Sequence, residues 1–285
     1  MSSKAGSKTP PAEAVRRAAV VTHGRPETIG EGLARLQEVA DRAGVELVYS
    51  AEEADKHGVE AGAKHGIDLT VVLGGDGTML RALRGSLGTG VPVIGVNFGT
   101  VGFLTSIAES GLAEGLERVF AGEYVVVELP TLEAEVGGER HVAVNDVVAA
   151  SSIIGRMVHL AWSIGGEELG VQPCDGLICS TPSGSTAYNL SNGGPVLVWG
   201  IDAMTVTFIA PHALDARPLV VPRSRELGVE NRTHDVPLAV LVDGRPVGEL
   251  AEGEQVVVRL GDERSLLAVL PEATFFRRYR ETFAS

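Results

Sequence analysis

The sequence predicts an α/β unit of the doubly wound, Rossmann-like kind followed by a mostly antiparallel, β-sandwich-like unit. Three observations predict it. Short apolar runs without polar alternation stand before Phe120, helical stripes lie among them, and beyond Tyr124 the pattern turns to strands parted by glycine pairs.

The runs are AAVVT (Ala18 to Thr22), VELVY (Val45 to Tyr49), LTVVL (Leu69 to Leu73) and VPVIGVN (Val91 to Asn97). Strands of this kind are covered on both faces, as in a parallel sheet. Leu33, Leu36, Ala40 and Ala43 recur at helical spacing, and Gly44 is placed to end the helix, which makes the segment a crossover. Leu112, Leu116, Val119 and Phe120 form another stripe. Ligands of such a fold bind at the carboxyl ends of the strands.

In the second unit, TLEAEV, Gly137-Gly138 and HVAVNDVV, then VHLAWSI, Gly165-Gly166 and EELGV, read as hairpins. MTVTFIA, PLVV, PLAVLVDG and QVVVRL continue it towards Leu270. The tail PEATFFRRYRETF mixes aromatic and Arg residues at helical spacing and is expected to pack back on the first unit. The expected division is a disordered start over 1–12, an α/β domain over 13–122, a β-rich domain over 123–270, and a tail over 271–285.

The chain has 285 residues and 44% hydrophobic content, enough for buried cores. Its net charge of -13 supplies no global basic field for nucleic acid or anionic lipid, so a phosphate ligand has to be held by local groups. Cys174 and Cys179 match neither redox nor zinc spacings and read as reduced thiols. The polar start MSSKAGSKTPPA, and the lack of about 18 uninterrupted apolar residues anywhere, predict a soluble cytoplasmic protein without membrane or nucleic-acid partners.

The strand LTVVL runs into Gly74-Gly75-Asp76-Gly77-Thr78 and then the helical pattern MLRALRG. Glycines let the backbone come close to a ligand, and a helix N-terminus aims unpaired N–H groups at it, which suits a phosphate. A plain tight turn is the alternative. Asp76 argues against it, because an acid beside a phosphate is unfavourable unless it holds Mg²⁺ or accepts a proton. Arg81, a helical turn later, is placed to neutralise donor phosphates.

The segment from Asp175 to Pro195, DGLICSTPSGSTAYNLSNGGP, is dense in hydroxyls and glycines. Its Ser and Thr groups suit a ribose or phosphate, and Tyr188 offers a stacking face, although turn and cap chemistry uses the same residues.

GGDGTMLRALRG, VPVIGVNFGTVGFL, NDVV, the 175–195 segment, PHALDARPLVVP and LVDGRP, in this order, resemble the NAD kinases from about Val71 to Asp243. GGDG alone also occurs in lipid kinases and phosphofructokinases, but the long hydroxyl-rich stretch does not. The resemblance implies phosphoryl transfer from ATP or polyphosphate, with Mg²⁺ or another divalent cation, to the adenosine ribose 2′-hydroxyl of NAD in a cleft between the domains. It implies Asp76 as proton acceptor, with Gly74, Gly75, Gly77 and Thr78 receiving the donor phosphates. Asn145 and Asp146 match an Asn-Glu pair that contacts the dinucleotide. Asp175, Ser183, Thr186, Ala187, Tyr188, Asn189, Leu190 and Ser191 match further contacts, and Arg156, Ala210 and Arg245 fall where relatives line the site. The family also implies a homodimer or homotetramer.

There are departures. Glu is usual where Asp146 stands, Thr and Ala where Ser183 and Asn192 stand, and a basic residue where Thr100 stands. Arg245 replaces a common Gln, which puts a fixed charge where a neutral amide bears on dinucleotide preference. His212 and His23 read as structural or surface-loop imidazoles, and Trp162 and Trp199 as core. The rival readings are a lipid or sugar kinase sharing only the glycine turn, and a dinucleotide sensor without turnover.

Overall fold

The structure is a computed structural model that describes residues 14–63, 65–99, 102–213 and 216–283. The expected disordered start and Thr100 lie outside the described residues. The chain forms two compact units, one running to Val127 and taken up again from Leu266, the other Glu128–Ser265. The divisions fall five residues later and five earlier than the expected 122 and 270, because both lie inside strands rather than in loops.

The first unit contains β1 (Arg17–Thr22), α1 (Gly30–Ala43), β2 (Glu46–Tyr49), α2 (Ala51–His57), β3 (Leu69–Gly74), α3 (Asp76–Gly85), β4 (Val93–Asn97), β5 (Ile107–Ala108) and α4 (Leu112–Phe120). Strands β2, β1, β3 and β4 lie side by side in that order, all parallel. Every residue of β3 is buried, as its unbroken apolar run requires. Helix α1 ends at Gly44 in the left-handed conformation (φ 69°), and buries Gly32, Leu36, Val39 and Ala40. Ala43, expected on that face, is exposed because the helix turns it outward in its last turn. Helix α2 has no apolar stripe to announce it. It starts on Ser50, whose side chain accepts from Glu53 N–H, and buries only Glu53 and Ala54.

The second unit contains β6 (Val125–Val136), β7 (Glu139–Ala143), β8 (Asp146–Ser151), β9 (Val158–Ile164), β10 (Glu167–Cys174), β11 (Gly176–Ser180), the short α5 (Tyr188–Ser191), β12 (Ala203–Ile209), β13 (Leu219–Pro222), β14 (Leu227–Asn231), β15 (Leu238–Val242), β16 (Arg245–Leu250) and β17 (Gln255–Val269). One sheet runs β13-β12-β11-β8-β15-β16, and the other places β10, β9, β14 and β17 side by side, with β6 and β7 beyond. Both contribute to one core, where Val147, Leu177 and Val206 join Leu160, Val229 and Val258. Trp162 packs edge-on against Phe208 at 5.2 Å, and both cysteines are buried and free. Gly137-Gly138 and Gly165-Gly166 all have positive φ, as two-residue hairpin turns demand. HVAVNDVV is two strands, broken at Val144-Asn145, and DGLICS supplies the central strand β11.

The tail forms α6 (Phe275–Phe283), in the first unit, with Phe275 and Phe283 against Phe103 at 6.0 and 5.5 Å. Among the described residues, no helix is long and apolar enough to cross a membrane.

Candidate active site

In the first unit the chain passes from β1 to β2 on one side, while β3 lies on the other, so the connections at their carboxyl ends diverge. Such a switch point opens a crevice by construction. An open cleft of ≈ 540 Å³ lies there, lined by His23 and Gly24 after β1, by Gly75, Asp76, Gly77, Thr78 and Arg81 after β3, and by Phe98, Gly99 and Gly102 after β4. His23, read from sequence as a loop imidazole, therefore faces the cleft.

Asp76 is the first residue of α3, one turn earlier than the MLRALRG pattern suggests, with Gly75 extended before it as N-cap. Its two carboxylate oxygens accept hydrogen bonds from the backbone N–H of Phe103 (2.8 Å) and Leu104 (3.0 Å). The carboxylate is therefore fixed in direction by a segment far away in sequence. The glycines differ in their reasons. A Cβ at Gly74 would lie 2.6 Å from Oγ1 of Thr78, so that position is set by packing, whereas one at Gly75 or Gly77 would meet nothing within 4 Å. The backbone at Gly75 and Gly77 is open to approach by a ligand.

Arg81 lines the cleft but is already engaged. Its guanidinium donates to Glu52, to Glu53 and to the carbonyl of Thr22. Glu53 is buried and accepts from Thr22, Lys56 and Arg81. Burial alone would raise its pKa, but the hydrogen bonds from Thr22 and Lys56 outweigh that and hold it below the ordinary value. Sequence reading missed this cluster, because its members come from β1, α2 and α3 and share no motif.

The second unit divides its candidate residues between two ends of one sheet. Asp146 pairs with Ser180 and Val147 with Val242, so Asn145, Asp146, the 181–191 segment and the turn holding Arg245 gather at one end. Ala150 pairs with Gly176 and Gly176 with Ile209, so Asp175 and Ala210 lie at the other, with Arg156 in the loop that leaves β8 there. The separation is the length of β11, about 15 Å. Asp175, Arg156, Ala210, Arg245 and Tyr188 are exposed, and Ala210 has a positive φ of 43°.

At the first end, Asp243 organises the chain. Its carboxylate accepts from the N–H of Val144 (3.0 Å), Asn145 (2.7 Å) and Asp146 (3.3 Å), which is why the strand breaks there. Burial, and then the charge of Asp243, push the Asp146 carboxyl up to about 7. Ser183 donates to Oδ1 of Asn145 (3.0 Å), and Gly184 is pressed so close that a Cβ would lie 2.1 Å from the Asn145 carbonyl. Asn189 is fully buried. Its amide donates to Ser185 and Pro195 carbonyls while its Oδ1 accepts from Thr205 and Thr207, so this side chain holds the segment together. Thr186 bonds the Ser183 carbonyl, while Tyr188 stands 46% exposed.

Among the described residues no three His, Cys, Asp or Glu side chains form a metal cage. A hard cation such as Mg²⁺ commonly takes one or two carboxylates and otherwise water and substrate phosphates, and so needs no such cage. Asp76 is the carboxylate in the cleft, and each of its oxygens keeps a lone pair beside its N–H bond.

A doubly wound unit with an acid and open glycines at its switch point, joined to a β-sandwich unit with a hydroxyl-rich turn, defines a two-unit nucleotide-fold protein. Residues 17–124 match the family model of the ATP-NAD kinase N-terminal domain and residues 144–269 that of the ATP-NAD kinase C-terminal domain. The chain belongs to the NAD kinase family. It is 43% identical to a Heliobacterium modesticaldum NAD kinase over 220 residues, 75% of this chain and 78% of the relative. It is 35% identical to a Koribacter versatilis NAD kinase over 90% of this chain and 93% of the relative. A yeast NADH kinase solved with NADH shares the fold at a TM-score of 0.82 and 21% identity, covering 95% of this chain and 88% of that one. An Archaeoglobus fulgidus NAD kinase solved with ATP gives 0.73 and 26%, covering 94% and 97%.

Proposed function

We propose that the protein transfers a phosphoryl group from ATP, polyphosphate or another donor to the 2′-hydroxyl of the adenosine ribose of NAD, giving NADP, in the cytoplasm. The observation that carries the reading is the carboxylate of Asp76, held by two backbone N–H groups at the head of α3 in the switch-point cleft.

Asp76 takes the proton as the ribose oxygen bonds to phosphorus and the bond from phosphorus to the donor's bridging oxygen breaks. A carboxylate of ordinary basicity suffices, because phosphoryl transfer depends chiefly on alignment and charge neutralisation. The open backbone of Gly75 and Gly77 and the N-terminus of α3 receive phosphate oxygens, with Thr78 fixing the turn behind them. A divalent cation carried with the donor, and bordered by Asp76, would neutralise phosphate charge. Asn145, Asp146, Ser183 and the exposed Tyr188 supply dinucleotide contacts. Arg156, Asp175 and Ala210, a strand's length away, remain available to a second copy in a homodimer or homotetramer, whose size light scattering measures directly.

The test is NADP formation by wild type and Asp76→Asn with each donor. The variant is expected to lose about 10²–10⁴ in kcat while keeping its fold and its binding of NAD. Near-normal turnover would remove Asp76 from the chemistry. NADH, a diacylglycerol and fructose 6-phosphate offered beside NAD separate this reading from the lipid- and sugar-kinase alternatives, and any NADP formed excludes a mere sensor.

A further inference from the structure

The peptide that joins Phe103 to Leu104 has each of its polar groups on a charged side chain. Its N–H, from Leu104, donates to Oδ1 of Asp76 at 3.0 Å. Its C=O, from Phe103, accepts from Nη1 of Arg278 at 2.6 Å. The same guanidinium nitrogen donates to the carbonyl of Thr105, and Nε reaches the carbonyl of Ala273 at 3.5 Å. Arg278 sits on α6, only 4% exposed, while Phe275 and Phe283 of that helix clasp the Phe103 ring. It belongs to the tail pattern PEATFFRRYRETF, which by itself assigns it no role.

A peptide unit is planar, so its C=O and N–H turn together. A cation on the carbonyl and an anion on the N–H pull along one line, and each bond polarises the other. Any rotation that frees the Leu104 N–H from Asp76 also breaks the bond to Arg278. Burial pushes the Arg278 guanidinium down to about 10, against the opposing charges of Asp76 and Glu281 and with Arg277 adding to the fall, so it is still a cation at neutral pH. The nearby exposed cation Arg277 is paired instead with Glu281 at 2.8 Å.

We propose that Arg278 is a positioning residue for the phosphoryl transfer, holding the Phe103–Leu104 peptide so that the Asp76 carboxylate keeps its reactive direction. The proposal rests on the reading of Asp76 as proton acceptor.

The experiment is a double-mutant cycle on the full chain, with Arg278→Met and Arg278→Lys each made in wild type and in Asp76→Asn. The kcat and the KM for NAD are measured below the melting temperature of each. Arg278→Met is expected to lower kcat on the order of 10- to 100-fold, as misplacement of a reacting group by about an ångström does, with KM within about threefold. Arg278→Lys should recover part of the loss, since an ammonium still serves one carbonyl. In the Asp76→Asn background the further loss should be under about twofold, because a group acting through Asp76 has nothing left to position. Equal losses in both backgrounds, a loss residing in KM, or normal kcat in folded variants would overturn it. Where Arg278→Met does not fold, Arg278→Lys, which keeps the charge and the apolar stem, decides by the same criteria. A fast Asp76→Asn enzyme would bring down the Asp76 assignment and this proposal with it, whereas a slow one with additive Arg278 effects would bring down this proposal alone.

Discussion

Asp76 and Gly102 stand so close that a Cβ at position 102 would lie 2.2 Å from Oδ1 of Asp76 and 2.5 Å from its Cγ. The obstructing atoms are the end of a side chain that can swing, so Gly102→Ala relieves the clash by turning the carboxylate off the N–H groups of Phe103 and Leu104. The expected result is a kcat loss on the order of 100-fold with a melting temperature lower by only a few degrees, since two hydrogen bonds at a cleft edge contribute about 1–3 kcal/mol. Steady-state NADP formation, set beside a thermal melt, checks it. A normal kcat would mean that the direction of this carboxylate does not limit the reaction.

That relationship shows where sequence reading reaches and where it stops. The apolar runs and the glycine turn were legible because burial and local geometry write themselves into adjacent residues. Gly102 was visible as part of a motif, but not its reason, since the neighbour that forbids a Cβ is 26 positions earlier in the chain. Helix α2 escaped because its buried face is a carboxylate and an alanine. The Asp175–Pro195 segment was seen as one hydroxyl-rich unit, although its first part is β11, whose antiparallel pairing carries Asp175 to the far end of the sheet from Ser183. Arg278 and Asp243 were invisible as organisers because each acts on a distant backbone segment.

Asn189 separates a structural from a ligand-binding use of that segment. Its side chain makes four hydrogen bonds to Ser185, Pro195, Thr205 and Thr207 and has no exposed surface. Asn189→Ala leaves two carbonyls and two hydroxyls to find other partners, and should cost about 3 kcal/mol of stability. Chemical denaturation measures that loss. The KM for NAD, taken well below the melting temperature, should stay within about twofold, and a large rise in KM at undiminished stability would make Asn189 a substrate ligand instead.

Asp146 gives the stability a pH dependence whose sign follows from its environment. Its carboxyl titrates at about 7 in the folded chain, against 3.8 for the ordinary group, because burial and the neighbouring Asp243 both oppose its charge. Between those values the native state binds more protons than the unfolded one, so this group's contribution falls as pH rises through the window and the penalty is complete above about 7. Asp146→Asn keeps the shape and removes the charge. Relative to wild type it should therefore gain little at pH 4 and about 2 kcal/mol or more at pH 8, as read from urea melts across that range. A gain that stayed constant with pH would mean that the Asp146 carboxylate ionises as freely in the folded protein as in the unfolded chain, and that the repulsion from Asp243 is absorbed by the three N–H groups that Asp243 already holds.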